Sequence, residues 1–255
     1  MRIALGIEYD GTDFLGWQRL AHGDTVQAAV ESALTFVAAH PVEVTCAGRT
    51  DAGVHARCQV VHFDSESERS ARSWTLGANS RLPPTVAVLW ARQVADDFHA
   101  RYGARARRYR YRIVNRPVRA ALDARQAAWE RVPLDIERMR AAAEALIGEH
   151  DFSAFRTVAC QARSASRNVR EIAIARTGDD VTIEIEANAF LHHMVRNIVG
   201  SLLPIGRGEE KPEWLASVLA SRDRAIAGPT APAAGLTFLG PRYPAQWHLP
   251  AEVTL

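Results

Sequence analysis

The clearest strand in the sequence is Arg108-Tyr109-Arg110-Tyr111-Arg112-Ile113-Val114, in which basic and apolar residues alternate. Successive side chains of a β-strand point to opposite faces, so Tyr109, Tyr111 and Ile113 share one face and the arginines share the other. We therefore predict a half-buried strand with an inward aromatic face and an outward basic face. At least one of the two tyrosines is expected to be ordinary core, and we assign that role to Tyr111.

The residues before this strand alternate between predicted strands and helices. An apolar stripe at helical spacing predicts a helix over 26–39, with Thr25 as its N-cap. A second helix is predicted over 70–80 and is ended by Leu82-Pro83-Pro84. The predicted strands of this half are 3–9, 42–46, 59–63 and 85–94.

The residues after the strand show the same mixture. A helix is predicted over 134–147, with Asp135 as its cap and Gly148 at its end. Residues 169–175 and 181–187 alternate in polarity around Gly178-Asp179-Asp180, which predicts a hairpin. The remaining predicted elements are helices over 190–203 and 212–219 and a strand over 236–239.

Strand pairs with intervening helices are typical of the α+β class. We expect two α+β catalytic subdomains, an N-terminal one at residues 1–105 and a C-terminal one at 106–255. Each is expected to carry an antiparallel-rich sheet covered by helices. The two are expected to form a joint sheet with a central basic cleft.

Composition narrows the class of protein. The chain has 255 residues, of which 47% are hydrophobic and 24% charged, which suits a globular protein with a substantial core. No apolar run approaches the roughly 18–20 residues of a membrane helix, so no membrane partner is expected. The first residues lack the apolar region of a signal peptide, and the three cysteines form no C-x-x-C pair. We therefore expect a cytoplasmic protein with reduced thiols and no metal site.

Positive charge is concentrated in one segment although the net charge is only +2. Eight arginines lie between Arg101 and Arg119, and no acidic residue interrupts them. Such a run can be simply a solvated face. Tyrosines interleaved with the arginines favour RNA as the partner, because they combine base stacking with phosphate pairing.

A loop bracketed by glycines, Gly48-Arg49-Thr50-Asp51-Ala52-Gly53, follows a predicted strand. The chain reverses there and exposes the Asp51 side chain. Aspartates in turns commonly hydrogen-bond to nearby backbone, so the loop alone is compatible with a structural role. A catalytic carboxylate is the alternative interpretation.

Five segments, in the same order along the chain, resemble the tRNA pseudouridine synthase A family, whose enzymes act on the anticodon stem. They are Tyr9-Asp10-Gly11 with Gly16-Trp17-Gln18, the loop segment 46–55, the segments 96–101 and 106–111 together, Asp151-Phe152-Ser153-Ala154-Phe155-Arg156, and Asn188–Gly200. The resemblance extends from about Ile3 to about Tyr243. It departs from the family at Pro232–Phe238, where small residues precede Gly235-Leu236.

The resemblance implies roles for particular side chains. Asp51 is expected to be the nucleophile or catalytic carboxylate, Tyr109 to stack on the target uracil, and Arg196 to pair with the carboxylate and stabilise its ionised form. Arg49 is expected to act when the nucleotide is flipped out, and Leu236 to line the pocket. Asp10 is expected to be structural.

The implied reaction is the conversion of uridine to pseudouridine at positions 38, 39 and 40 of the anticodon stem-loop. It involves no net redox change, so no cofactor is expected. The carboxylate could attack the sugar or the base, or remove a proton from C2′, and the sequence does not choose among these routes. The family works as a homodimer on tRNA, which we also expect here.

Two other classes of protein compete with this interpretation. One is a non-catalytic RNA-binding protein of the same fold, against which the presence of Asp51, Tyr109 and Arg196 argues. The other is a phosphotransferase with an aspartate nucleophile. That enzyme would need several carboxylates around a magnesium ion, and none lie near Asp51 in the sequence.

Overall fold

The computed structural model describes residues 1–157, 160 and 162–255. Within these residues the chain forms a mixed α/β fold with mostly antiparallel strands and five α-helices. The residues group into two compact units, 1–107 with 237–255, and 108–236. Of the helices in the described ranges, none combines the length and the apolar character needed to cross a membrane.

The regular elements are numbered in chain order. The strands are β1 Arg2–Tyr9, β2 Thr45–Cys46, β3 His55–Asp64, β4 Val86–Val94, β5 Ala106–Asn115, β6 Ala128–Glu130, β7 Gly148–Asp151, β8 Ser166–Thr177, β9 Asp180–Ala187 and β10 Leu236–Arg242. The α-helices are α1 Val26–Ala38, α2 Ala71–Asn79, α3 Ile136–Ala143, α4 Met194–Gly206 and α5 Glu213–Ser221.

The first unit is built around β1 and β3. The strand order is β4-β1-β3-β10; β1 is antiparallel to both β3 and β4, and β10 is parallel to β3. The short β2 also pairs with β3. Helices α1 and α2 pack on each other, and α2 contacts β4. The buried Trp74 of α2 meets Phe63 of β3 edge to face at 5.1 Å, which anchors the helical layer on the sheet.

The second unit holds the hairpin β8–β9, which is flanked by β7 on one side and β5 on the other. Strand β6 pairs with β5 in parallel. Helix α3 packs against β8, α4 and α5. Fully buried side chains such as Ile183, Ile185 and Ile198 form part of the core of this unit.

Most of the predicted elements are confirmed because their signals are local. The Thr25 hydroxyl accepts the N–H of Ala28 and caps α1, and the Asp135 carboxylate accepts the N–H groups of Glu137 and Arg138 and caps α3. The predicted hairpin forms with Gly178 in its turn at a φ of 59°. Strand β5 places Tyr109 and Tyr111 in the interior, as its alternation predicts.

Two predicted elements are shorter than expected. The strand predicted over 42–46 is reduced to Thr45–Cys46, which pair with His62 and Val61. The helix predicted over 134–147 ends at Ala143, and a 3-10 turn then leads into β7. The strands β6 and β7 were not predicted, because each has at most four residues and is defined by its partner strand rather than by its own sequence.

The helix predicted over 190–203 begins four residues later and runs from Met194 to Gly206. Its cap residue, His193, has a left-handed backbone with φ of 63°, and the N–H of Met194 donates to the carbonyl of Leu191. Residues 190–193 therefore form a turn, and the prediction that His192 and His193 lie on a helix is wrong. Apolar composition alone could not separate this turn from the helix that follows.

Candidate active site

The loop that carries Asp51 connects β2 with β3 in the first unit. The N–H of Ala47 donates to the carbonyl of Val60 at 2.8 Å, so the loop leaves the sheet from a fixed point. The chain then turns at Asp51, whose carbonyl accepts the N–H of Val54 at 3.1 Å. The Asp51 side chain is half-buried at this turn, and Arg49 is exposed. The Asp51 side chain is thus partly exposed while its backbone is held.

The residues after β1 hold the loop from one side. The N–H of Trp17 donates to the carbonyl of Thr50 at 3.0 Å, and the N–H of Gly53 donates to the carbonyl of Phe14 at 3.3 Å. The phenol of Tyr9 and the hydroxyl of Thr50 form a buried hydrogen bond of 2.8 Å. Burial raises the pKa of the Tyr9 phenol far above its usual value, so the group stays protonated. The backbone on both sides of Asp51 is thereby fixed.

Two glycines permit this close packing. A methyl group on Gly11 would lie 2.0 Å from the carbonyl oxygen of Val54, and one on Gly16 would lie 2.8 Å from that of Thr50. Gly16 also has a φ of 98°, which other residues rarely adopt. These glycines belong to the motif Tyr9-Asp10-Gly11 with Gly16-Trp17-Gln18, which the sequence suggested only as part of a resemblance. In the structure this motif positions the Asp51 loop.

The start of the loop is held from the other side by polar side chains. Arg107 donates from Nε and Nη2 to the carbonyl of Ala47, at 3.3 and 3.1 Å. The amide of Gln59 donates to the carbonyl of Gly48. Burial raises the pKa of the neighbouring Cys46 thiol to about 11, so it is a protonated packing group rather than a nucleophile.

Asp10 has the structural role expected of it. Its carboxylate accepts the N–H and the hydroxyl of Thr12 within the turn that follows β1. Nδ1 of His55, which lies 3.1 Å from the Asp10 carboxylate, accepts the N–H of Gly11 at 3.1 Å. This hydrogen bond connects the turn to the first residue of β3, directly after the Asp51 loop.

In the second unit, Tyr109 and Tyr111 differ in their surroundings. Tyr111 is fully buried, its hydroxyl donates to the carbonyl of Pro232 at 2.8 Å, and burial raises its pKa well above the usual value. It is core, as predicted. Tyr109 is 9% exposed and meets the ring of Phe190 edge to face at 5.0 Å. This contact fixes the plane of the Tyr109 ring.

Arg196 lies in the first turn of α4 and is half-buried. Its Nε donates to the carbonyl of Ala231 at 2.7 Å, and its own carbonyl accepts the N–H of Ala231 at 3.1 Å. The guanidinium is therefore held by the segment that leads into β10. The hydrogen bond from Nε to the backbone fixes the orientation of the planar guanidinium group of Arg196.

Leu236 is the first residue of β10 and is 5% exposed. The preceding Gly235 lies against Tyr111, since a methyl group there would be 2.6 Å from the tyrosine ring. The small residues before Leu236, where the sequence departs from the family pattern, thus pass close to β5.

Several arginines of the basic segment are used within the fold. Arg110 pairs with Glu184 at 2.6 Å, and Arg112 pairs with both Asp123 and Asp180 at 2.7 Å. The two carboxylates raise the pKa of the Arg112 guanidinium further above its already high value. All three acids lie outside the basic segment, and Asp180 and Glu184 are about seventy residues away, so the run of arginines overstated the positive charge that β5 presents.

Comparison with known proteins matches most of this chain to one family. A sequence model described as "tRNA pseudouridine synthase" matches residues 6–103 and 142–244, which include the Asp51 loop and α4. The "tRNA pseudouridine synthase A" of Xanthomonas euvesicatoria pv. vesicatoria (strain 85-10) is 60% identical over 256 residues and 100% of both chains. The protein of the same name from Stenotrophomonas maltophilia (strain K279a) is also 60% identical over the full length of both.

Proposed function

This chain belongs to the tRNA pseudouridine synthase family and isomerises uridine to pseudouridine in tRNA, and we propose that it acts at positions 38, 39 and 40 with Asp51 as its catalytic carboxylate. The main support is the construction of the Asp51 loop. Its backbone is held by Trp17, Phe14 and Val54 while the carboxylate stays half-buried rather than sealed. A rigid backbone beneath an accessible carboxylate suits a group that must meet a substrate in one geometry.

The proposed reaction breaks the N1–C1′ bond of uridine and forms a C5–C1′ bond. N1 gains a proton and C5 loses one, so the base is isomerised without oxidation or reduction. The Asp51 carboxylate would attack C1′ of the sugar or C6 of the base, or remove a proton from C2′. All three routes require an ionised carboxylate and a base taken out of its stack. Unstacking costs a few kcal/mol.

We propose roles in this reaction for the other predicted site residues. Tyr109 would stack on the extruded uracil, and its contact with Phe190 supports a ring of fixed orientation. Arg196 would pair with the Asp51 carboxylate, and Leu236 would line the wall of the pocket. Arg49, which is exposed, would act on the RNA backbone as the nucleotide leaves the helix.

The proposal also covers the oligomeric state of the protein and its location in the cell. Both parts of the chain, 1–105 and 106–255, would contribute to catalysis through a joint sheet and a central basic cleft, as the family resemblance implies. One tRNA would contact two copies of the chain in a homodimer in the cytoplasm. The assembly is tested by measuring the mass in solution, which should be about twice the 28.1 kDa of one chain.

The decisive experiment replaces Asp51. Asp51→Ala and Asp51→Asn should bind an unmodified tRNA transcript with wild-type affinity and form no pseudouridine, as measured by mass-spectrometric mapping of positions 38–40. Asp24→Asn, which alters an exposed carboxylate of the same unit, should retain activity. Pseudouridine formed at an undiminished rate by Asp51→Ala would overturn the assignment.

The same assay separates the competing classes. Wild-type protein that binds tRNA but forms no pseudouridine in any transcript would favour a non-catalytic RNA-binding protein. Activity that disappears on adding a chelator and returns with Mg²⁺ would favour an aspartate phosphotransferase. Pseudouridine mapped only outside positions 38–40 would keep the reaction and correct its site.

A further inference from the structure

An exposed aromatic side chain lies between β4 and β5, away from the Asp51 loop in sequence. Tyr102 is 74% exposed, although its ring packs at 4.4 Å and 36° on the ring of His99. One face of the phenol is therefore supported while most of the side chain is open to water. An exposed aromatic ring offers a surface on which a nucleobase can stack.

The support beneath Tyr102 is rigid. Nδ1 of His99 accepts the N–H groups of Arg101 and Tyr102, at 3.1 and 3.2 Å, so the imidazole is fixed to the backbone of the tyrosine it supports. The centroid of the His99 ring also lies 4.7 Å from that of the buried His62 ring, with the two planes tilted by 57°. Nδ1 of His62 in turn accepts the N–H of Ala100 at 3.2 Å. The exposed Tyr102 ring is thus connected through His99 to a buried side chain of the core.

A cationic side chain lies over the Tyr102 ring. The guanidinium carbon of Arg101 lies 5.6 Å from the centroid of Tyr102, within the range of a cation–π contact. Arg101 and Arg105 are both exposed. We call Arg101, Tyr102 and Arg105 the Tyr102 platform. A largely exposed aromatic ring with one guanidinium over it, and a second exposed arginine three residues further along the chain, matches a nucleobase with its adjoining phosphates.

The Tyr102 platform is joined to the Asp51 loop through one side chain. The guanidinium of Arg107 donates to the carbonyl of Arg101 and, through the same Nη2, to the carbonyl of Ala47 at 3.1 Å. It also donates to the carbonyl of Ala104 at 3.3 Å. Arg107 therefore holds the backbone of the Tyr102 platform at a fixed position relative to Ala47, from which the Asp51 loop leaves the sheet.

We propose that the Tyr102 platform binds an unpaired nucleobase of the tRNA substrate, other than the target uracil, by stacking on Tyr102 with Arg101 and Arg105 at its phosphates. This inference rests on tRNA as the substrate and is independent of the role given to Asp51. The platform acts by positioning the RNA and touches no reacting atom. Stacking accepts any base, so the contact contributes affinity and register rather than base specificity.

The test compares Tyr102→Ala with a matched control, Phe36→Ala. Phe36 is also an exposed aromatic of the first unit with a guanidinium over its ring, that of Arg81 at 3.7 Å. Equilibrium binding of an unmodified tRNA transcript should weaken about tenfold for Tyr102→Ala, a typical loss for one base–aromatic stack. Phe36→Ala should bind like the wild type. Steady-state assays should show a raised KM with kcat unchanged.

Two further variants separate stacking from bulk and charge. Tyr102→Phe should retain wild-type affinity, whereas Tyr102→Leu should bind as weakly as Tyr102→Ala because it lacks a π face. The slope of log affinity against log salt should stay the same for Tyr102→Ala and decrease by about one for Arg105→Ala. Thermal unfolding of each variant checks that the fold is intact.

The proposal is overturned if folded Tyr102→Ala binds the transcript like the wild type. It is also overturned if Tyr102→Ala changes only the mass of the protein in solution, which would assign the platform to a protein–protein contact. Binding of the tRNA transcript is measured without turnover. The binding result for Tyr102→Ala could therefore still be interpreted if the wild-type protein formed no pseudouridine.

Discussion

Gly16 lies against the peptide that joins Thr50 to Asp51, and this one contact shows how the loop is positioned. A side chain at residue 16 would enter the space occupied by the carbonyl of Thr50. The phenol of Tyr9 reaches the same threonine from β1. Residues more than thirty positions earlier in the chain therefore set the backbone that presents Asp51.

Gly16→Ala should disturb this loop. The positive φ costs about 1–2 kcal/mol for alanine, and the methyl group would also push the carbonyl of Thr50 from its place. We expect a lower free energy of unfolding and pseudouridine formation reduced about tenfold or more, because small misplacements of a catalytic group are costly. Urea denaturation and single-turnover assays measure the two effects.

Gly208→Ala is the matched control for that variant. Gly208 also has a positive φ, of 80°, but a methyl group there would meet no atom within 4 Å. It should lose stability from the backbone conformation alone and keep its activity. Equal losses of activity in both variants would show that global destabilisation, rather than the loop contact, is responsible.

Helix ends illustrate what determines the individual elements. Helix α3 begins where the Asp135 carboxylate accepts two backbone N–H groups, a signal carried entirely by neighbouring residues. Helix α4 begins after His193, which has no side-chain cap and a left-handed backbone. The start of α3 can therefore be predicted from the sequence, whereas the start of α4 depends on how residues 190–193 pack.

Asp135→Ala should lower the free energy of unfolding by about 1 kcal/mol, since the first N–H groups of α3 would lose their acceptor. Asp135→Ser, which provides another good cap, should recover most of that loss. Pseudouridine formation should be unchanged in both, because α3 carries none of the proposed site residues. A stability of Asp135→Ala equal to that of wild type in urea denaturation would show that solvent replaces the cap.

At the scale of the whole molecule, a buried imidazole links folding to pH. His62 is 6% exposed, and burial, with smaller contributions from His99 and Arg2, lowers its pKa to about 4. An unfolded chain would titrate this group near pH 6.5. Between these two values the unfolded state binds more protons than the folded state. The free energy of unfolding should therefore decrease as the pH falls from about 6.5 to about 4.

The full effect of His62 is on the order of 3 kcal/mol, reached near pH 4. His62→Gln keeps an acceptor for the N–H of Ala100 but cannot bind a proton, so its stability should change less over this range. His22→Gln, at an exposed position, should follow the wild type. Urea denaturation at several pH values measures the slopes, and an unaltered slope in His62→Gln would contradict the assignment.

Much of this protein is determined locally, and the sequence alone predicted those parts. The alternation of β5, the caps Thr25 and Asp135, the β8–β9 hairpin and the glycine-bracketed loop at Asp51 all depend on residues a few positions apart. The motifs also indicated the family, which the full-length relatives confirm. The alternation of polar and apolar side chains, helix caps and turn residues all act over a few neighbouring positions. The elements that depend on them can therefore be predicted from the sequence.

The tertiary structure decided the rest. The contacts of Tyr9 and Gly16 with Thr50, the parallel pairing of β10 with β3, and the ion pair of Arg112 with Asp180 all join residues far apart in sequence. The ring contacts that support Tyr102 likewise depend on His62 and His99 meeting in the folded chain. Such contacts form only when strands have paired and the core has closed, because burial of apolar surface, and not local backbone preference, brings these distant residues together.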